Sequence, residues 1–281
     1  MMETDVELIR LVPEIHRARG WRLYAKNGAR IVDLWQYGGR ALLGHTPPGL
    51  LRALKNGAER GLFVPFPHFA EGRLRKALAA LLPGRRFRFY SGGEGLNAAL
   101  AAAEKAPGCV RPGCARNPVL WRPFLDIPSA PIFIPVLPFP FPGAPAVLVL
   151  DPEADSALEG VLPAETVSPT ALAAAARCVR DLIAVPGRGG PCFPKLASSG
   201  AAGSRNWRRQ GIYLSYLPGN DSARPASGGN AESYPALFRR FLDAGFLLPP
   251  SPSQPAILPG ELSRGEEAKL AELFSIEIEV I

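Results

Sequence analysis

The chain has 281 residues, of which 47% are hydrophobic, so it is long enough for one large or two modest domains with a real core. No apolar run approaches the ~18–20 residues of a membrane span, and residues 1–6 lack the basic-then-apolar order of a signal peptide. We therefore expect a cytoplasmic protein without a membrane span, although its formal net charge of +7 makes anion or nucleic-acid binding worth weighing.

Two short strands open the chain. Residues 21–24 and 30–35 are strand-like, and the Asn27-Gly28 pair between them is typical of the tight turn of a β-hairpin. A glycine-containing loop follows. Pro48 then fits the first turn of a helix, where its missing N–H is not needed.

A helix with one apolar face comes next, followed by a strand and a second helix. Leucines recur at helical spacing from Leu74 to Leu82, and the pattern stops at Pro83. Residues 88–100 predict a strand, a glycine turn and the start of an Ala-rich helix.

The middle of the chain, residues 107–169, is rich in proline. Residues 136–145 cannot form a central strand because proline lacks the N–H that a sheet requires. We favour an extended connector or edge segment, with a polyproline-type ligand for a partner's aromatic groove as the alternative. Residues 147–150 predict a buried strand that ends at Asp151.

The C-terminal half alternates helices and strands. Apolar residues from Leu172 to Ile183 predict a helix, and a Gly/Ser/Pro-rich irregular stretch follows. Ser263 and Glu266 form the capping-box pattern of the last helix. The remaining predicted elements are a strand at 211–217, a helix at 234–244, strands at 245–248 and 256–258, and a helix from residue 262.

Five segments carry a family resemblance. They are residues 20–33, 43–48, 88–100, 166–176 and 238–271. In this order they resemble landmarks of the class III aminotransferases, the pyridoxal-phosphate (PLP) enzymes that include glutamate-1-semialdehyde aminomutase.

The resemblance implies an α/β fold, a shortened form of the type I PLP-transferase fold. It implies a reduced central domain and a small α+β domain built from both chain ends. We place the N-terminal part of the small domain at 1–60, the shortened large domain at 61–205 and the C-terminal part of the small domain at 206–281.

The resemblance also assigns a vestigial phosphate site. Ser91, Gly92 and Gly93 match the turn whose backbone N–H groups hold the cofactor phosphate at a helix N-terminus. Thr166 matches the family threonine that reaches the phosphate from the neighbouring subunit. From the residues alone, Ser91 and Glu94 equally form a capping box that needs no ligand.

The Schiff-base lysine of the family has no counterpart in the expected interval. The pyridine-nitrogen acid would be Asp151, although an Asp that starts a turn before Pro152 is the simpler interpretation. Lys105 lies too early and Lys195 follows the Thr166 landmark, where the family has a surface helix. The interval before Thr166 is also too short for the cofactor domain of the family.

Other chemistry is weakly supported. Cys109 and Cys114 are too loosely spaced for a zinc site without a second pair, so no metal is expected. The histidines His16, His45 and His68 suggest no catalytic set. Arginine clusters at 85–88, 205–209 and 239–240 are short and dispersed, which favours an ordinary solvated surface over a nucleic-acid site.

These observations predict a degenerate aminotransferase-like protein, non-catalytic and acting as a binding or assembly subunit. We assign it no catalytic residues. We expect no cofactor, and PLP is the cofactor whose binding should be tested. The expected partner is a second copy or a related aminotransferase, with residues 63–69 and 166–170 near the interface by analogy. The alternatives are a PLP-dependent aminotransferase or aminomutase with a shrunken pocket and, third, an anion or nucleic-acid binder.

Overall fold

The computed structural model describes residues 5–106, 118–185, 207–217 and 233–275. The contacts divide the chain into two compact units, a first unit of residues 1–45 and 187–281 and a second unit of residues 46–186. Both chain ends thus contribute to the first unit. The helix at Pro48–Glu59, which we placed in the N-terminal part of the small domain, lies in the second unit.

Helices and strands alternate along the described residues, and none of those helices combines the length and apolar character needed to cross a membrane. In chain order the elements are α1 (Asp5–Ile9), β1 (Ile15–Arg19), β2 (Arg22–Ala25), β3 (Arg30–Asp33), α2 (Pro48–Glu59), α3 (Ala70–Leu81), β4 (Arg86–Tyr90), α4 (Gly93–Lys105), β5 (Val119–Trp121), β6 (Ile132–Pro135), β7 (Ala146–Leu150), α5 (Pro152–Ala157), α6 (Pro169–Ile183), β8 (Trp207–Gln210), β9 (Tyr213–Tyr216), α7 (Tyr234–Asp243), β10 (Phe246–Leu247), β11 (Ala256–Ile257) and α8 (Arg264–Ser275).

The first unit contains a four-stranded sheet in the order β1-β2-β3-β10. The predicted hairpin is confirmed, because β2 and β3 pair antiparallel with Tyr24 opposite Arg30. Gly28 has a φ of +86°, which glycine adopts without steric cost. The Asn27 carboxamide oxygen accepts the Ala29 N–H at 3.1 Å, so Asn27 acts through its side chain and Gly28 alone supplies the positive φ.

The C-terminal part of the first unit contains the antiparallel sheet β11-β9-β8 and the helices α7 and α8. Its core is aromatic, with the ring of Trp207 packed edge-on against Phe274 at 5.2 Å between centroids. The predicted capping box is confirmed: the Ser263 N–H donates to Glu266 Oε2 at 2.8 Å, and the Glu266 N–H donates to Ser263 Oγ at 3.3 Å. The spacing of Ser263 and Glu266 in the sequence therefore predicted the start of α8 correctly.

The second unit is a sheet, in the order β4-β7-β6-β5, with helices on both faces. Alternation along β7 separates the two faces, because Val147 and Val149 pack with α3 and α6 while Leu148 and Leu150 pack with α4. The predicted leucine face of α3 is confirmed by Leu74, which is fully buried.

The proline-rich segment 136–145 lies outside the strands, as predicted for an extended connector. Its apolar side chains Leu137, Phe139 and Phe141 are buried in the core of the second unit. The Val136 N–H still finds a partner, the Trp121 carbonyl at 2.8 Å. Because its aromatic side chains are already buried, the alternative of a ligand for a partner's groove is wrong.

Candidate functional site

The turn between β4 and α4 holds the residues predicted to bind phosphate. Gly92 is the N-cap of α4 and is extended, and no side chain caps this helix. The Ser91 N–H donates to Glu165 Oε2 at 2.9 Å, and the Ser91 hydroxyl donates to Glu165 Oε1. The capping box predicted between Ser91 and Glu94 is therefore wrong, because the Ser91 side chain bonds to a distant carboxylate instead.

Glu165 lies over the first turn of α4. A Cβ atom built on Gly95 would stand 2.3 Å from Glu165 Oε2, so the carboxylate is in direct contact with the helix backbone. The N-terminal end of a helix carries partial positive charge and free N–H groups, which favour an anion there. In this chain the anion at that position is a carboxylate of the protein itself.

The other predicted phosphate ligands are Gly92, Gly93 and Thr166, and none of them forms the hydrogen bonds that join Ser91 to Glu165. Cβ atoms built on Gly92 and Gly93 would meet nothing within 4 Å, so both glycines border open space. Thr166 is exposed and follows Glu165 directly in the chain. The residue that bonds to Ser91 is therefore Glu165, the neighbour of the predicted phosphate ligand Thr166.

Tyr90 lies immediately before this turn and is buried. Among the residues that the structure describes, its hydroxyl has no hydrogen-bond partner. Burial raises the pKa of Tyr90, the charge of Arg88 opposes that rise and the charge of Glu165 adds to it. The phenol therefore stays protonated at neutral pH beside the Glu165 carboxylate.

Asp151, the candidate ring acid, is the N-cap of α5. Its carboxylate accepts the Ala154 N–H at 2.7 Å, and Pro152 occupies the first turn of the helix. The simpler interpretation, an Asp that starts a turn before a proline, is confirmed.

Three lysines are described in the second unit. Lys55, Lys76 and Lys105 are all exposed on helices. Lys105 ends α4, roughly 18 Å along the helix from Gly93 at 1.5 Å per residue. Lys195 lies outside the described residues, as do Cys109 and Cys114.

One histidine takes part in a buried network that the sequence did not reveal. Asp33 is 2% exposed, and its Oδ2 lies 2.9 Å from His45 Nε2. Its Oδ1 accepts the N–H groups of Trp35 and Gln36 at 2.9 and 2.8 Å. Gln36 and Tyr37 both have a φ of +50°, a strained conformation for residues other than glycine. The network holds this loop in the first unit.

The predicted arginine cluster at 85–88 is partly committed to the fold. The Arg85 guanidinium donates to the carbonyls of Pro128 and Ala130 at 2.8 and 3.0 Å, and Arg88 pairs with Asp155 at 2.7 Å. Arg205 of the second cluster lies outside the described residues. These contacts leave fewer free arginines for a nucleic acid than the sequence suggested.

The fold is similar to that of solved aminotransferases. The ornithine aminotransferase of Plasmodium yoelii aligns with a TM-score of 0.68 at 13% identity, over 99% of each chain. The acetylornithine aminotransferase of Elizabethkingia anophelis gives 0.66 at 12% identity, also over 99% of each chain. A PMP-bound aminotransferase from Vibrio fluvialis gives 0.67 at 14% identity, over 99% of this chain and 95% of that chain. The chain therefore has the fold of the class III PLP-dependent aminotransferases, shortened to 281 residues.

Sequence comparison identifies relatives with no assigned activity, and no established family model matches the chain. An uncharacterized protein of Treponema pallidum (strain Nichols) is 30% identical to this chain. The alignment is 298 residues long and covers 91% of this chain and 92% of that protein. The chain belongs to the family of this protein. A shorter match, 44% identical over 63 residues, covers 22% of this chain and 23% of an uncharacterized protein of Borreliella burgdorferi.

Proposed function

We propose that this aminotransferase-related protein does not catalyse transamination and serves as a binding or assembly subunit. The observation that carries the proposal is the Glu165 carboxylate at the N-terminus of α4, bonded to both donors of Ser91. A phosphate brought to the same helix end would meet a negative charge. Two like charges at 4 Å repel by about 4 kcal/mol at an effective dielectric constant of 20.

The described residues do not fit PLP. The cofactor needs a phosphate cradle, an acid at the pyridine nitrogen and a lysine for the Schiff base. Glu165 takes the Ser91 donors, Asp151 caps α5, and Lys105 is at the opposite end of α4. We therefore derive no catalytic step for this chain.

The rival function is a PLP-dependent aminotransferase or aminomutase with a shrunken pocket. It requires Glu165 to leave Ser91 and a lysine, such as Lys195, to supply the Schiff base. Titration with PLP followed by borohydride separates the two functions. We expect no internal-aldimine absorption band and no reduced adduct, whereas a band together with a PLP-modified lysine peptide would establish the rival.

Variants sharpen this experiment at the phosphate cradle. Glu165→Gln removes the charge and keeps the shape, so we expect it to bind PLP or inorganic phosphate more tightly than the wild type. Glu159→Gln is the matched control, because Glu159 is an exposed glutamate in the same connection between α5 and α6. Equal binding by wild type and both variants would show that Glu165 does not block the cradle.

The assembly role is supported by an exposed apolar segment before α3. Phe63, Val64, Phe66 and Phe69 are each more than half exposed, from 53% for Phe66 to 60% for Phe63. Exposed apolar side chains close together in the chain are one feature of protein interaction sites, where aromatic residues are enriched. We propose that they contact a second copy of this chain or a related aminotransferase.

Sedimentation velocity at micromolar concentration tests the assembly. We expect the wild type to sediment as a dimer and Phe63→Ser/Phe66→Ser as a monomer of unchanged secondary structure. Leu120→Ser is the control, since Leu120 is 57% exposed on β5 in the same unit. A wild type that is strictly monomeric, alone and with a related aminotransferase, contradicts the proposal.

A further inference from the structure

A cleft of about 370 Å³ lies between α2, α3 and α6 in the second unit. Its volume falls within the range of small-molecule sites, roughly 300–1,000 Å³. Neither Ser91 nor Glu165 lines it, so it is separate from the phosphate cradle. Five arginines line it, namely Arg52, Arg60, Arg73, Arg177 and Arg180.

The charge of the cleft is strongly positive. Its lining residues include no aspartate or glutamate. Among these five arginines, Arg177 pairs with Asp181 at 2.9 Å, and Arg73 stacks on the Phe69 ring at 4.4 Å from its centroid. Within the part of the chain that the structure describes, Arg52, Arg60 and Arg180 form no ion pair.

Helix stability explains only part of this convergence. Arg60 and Arg180 stand at the C-terminal ends of α2 and α6, where a cation stabilises the helix. Arg52 and Arg73 lie away from any helix C-terminus and gain nothing from that effect. Gathering five guanidinium groups around one cleft raises their mutual repulsion, which an anion would relieve.

The polar groups of the cleft are suited to a ligand with many acceptor oxygens. The Nδ1 atom of His68 accepts the Ala70 N–H at 3.1 Å, so the proton of the neutral ring is on Nε2 and His68 contributes a donor. Thr170 already donates its hydroxyl to the Leu62 carbonyl at 2.7 Å. Arginine is the residue best matched to phosphate, since its planar fork donates two parallel hydrogen bonds.

We propose that this cleft binds a small molecule that carries two or more phosphate groups. A single phosphate group carries about two negative charges at neutral pH, fewer than the four cleft guanidinium groups that have no carboxylate partner among the described residues. Linked phosphates match both that charge and the spread of arginines over three helices.

Isothermal titration calorimetry with inorganic tripolyphosphate tests the site, with ionic strength held constant by chloride. We expect Arg52→Ala/Arg180→Ala to bind at least tenfold more weakly than the wild type. Arg86→Ala, at an exposed strand position outside the cleft, should bind as the wild type does. Equal affinity of the wild type and the double variant overturns the proposal, as does equal affinity for sulfate and tripolyphosphate.

Thermal melting distinguishes a binding role from a structural one. Without ligand the double variant should melt close to the wild type, because the repulsion that it loses offsets the favourable helix-end charge of Arg180. With tripolyphosphate only the wild type and Arg86→Ala should rise in Tm. If the double variant does not fold, the single variants are measured, and each should lose at least threefold in affinity.

Two further outcomes complete the experiment. Tripolyphosphate binding that is lost in Arg52→Ala/Arg180→Ala belongs to the cleft, whereas binding that survives in that variant and increases in Glu165→Gln belongs to the cradle of the proposed function, so the two sites are tested apart. If the wild type binds a single-stranded RNA but not tripolyphosphate, and Arg52→Ala/Arg180→Ala loses the RNA, the cleft takes a nucleic acid and the proposal is wrong.

Discussion

The carboxylate of Glu165 accepts a hydrogen bond from the Ser91 N–H at 2.9 Å, across 74 residues of chain. The same carboxylate accepts from the Ser91 hydroxyl. The family resemblance predicts a phosphate at this turn, and in this structure the anion that bonds there is a carboxylate of the protein itself. Both hydrogen bonds are exposed, and Glu165 lies in a loop. A small displacement of the Glu165 side chain should therefore break its contact with Ser91.

Gly95→Ala should displace Glu165 from Ser91. The new Cβ would lie 2.3 Å from Glu165 Oε2, and the end of a flexible side chain moves more easily than the helix. We expect the Ser91 amide to exchange with solvent at least about tenfold faster, since a hydrogen bond to a charged acceptor contributes on the order of 1.5–3 kcal/mol and about 1.4 kcal/mol is a factor of ten. Amide hydrogen exchange followed by NMR measures this change.

Gly93→Ala is the matched control for that experiment. A Cβ on Gly93 meets nothing within 4 Å, so Glu165 should stay in place and Ser91 exchange should be unchanged. Both substitutions add a better helix former to the first turn of α4, worth up to about 0.5–1 kcal/mol. If both variants accelerate exchange equally, the effect comes from the helix and not from Glu165.

Much of the fold follows from local patterns, whereas the site does not. The Ser263–Glu266 capping box and the leucine face of α3 depend on residues a few positions apart, and both were predicted. The Glu165–Ser91 contact and the Asp33–His45 pair depend on loops brought together by tertiary packing. No spacing rule in a single sequence encodes such contacts.

The arginine-lined cleft also could not be predicted from the sequence, because its arginines are far apart in the chain. The sequence clusters drew attention to 85–88, yet Arg85 and Arg88 bond within the fold. The arginines that converge, such as Arg52 and Arg180, are scattered along the chain and meet only because α2 and α6 pack together. Clustering in sequence was therefore a poor guide to clustering in space.

Glu266 should make the stability of the first unit depend on acid. It receives two hydrogen bonds from the Arg22 guanidinium, at 2.9 and 2.8 Å, and one from the Ser263 N–H at 2.8 Å. The bonds from Arg22 are the main cause that lowers the pKa of Glu266 from 4.5 to about 2. A lowered folded-state pKa means that this contribution is complete above about pH 5 and is lost as the pH falls toward 2.

Glu266→Gln should therefore lower the free energy of unfolding at pH 7 by up to about 3 kcal/mol. It should also flatten the dependence of unfolding on pH between 5 and 2, measured by urea titration at each pH. Glu272→Gln, an exposed change on the same helix α8, should leave the pH profile as in the wild type. Parallel profiles for wild type and Glu266→Gln would contradict the role of this ion pair.

Gly57→Ala should disrupt the packing of α2 on α6. A Cβ on Gly57 would stand 2.3 Å from Oγ1 and 2.8 Å from Cβ of Thr170, a buried β-branched side chain with little rotamer freedom. Overpacking of this kind costs about 1–3 kcal/mol, more than the helix propensity that alanine adds. Gly72→Ala on α3 meets nothing within 4 Å and should instead stabilise by about 0.5–1 kcal/mol. Chemical denaturation of the two variants should therefore give changes of opposite sign, and equal stabilisation by both would show that α2 and α6 do not pack closely at Gly57.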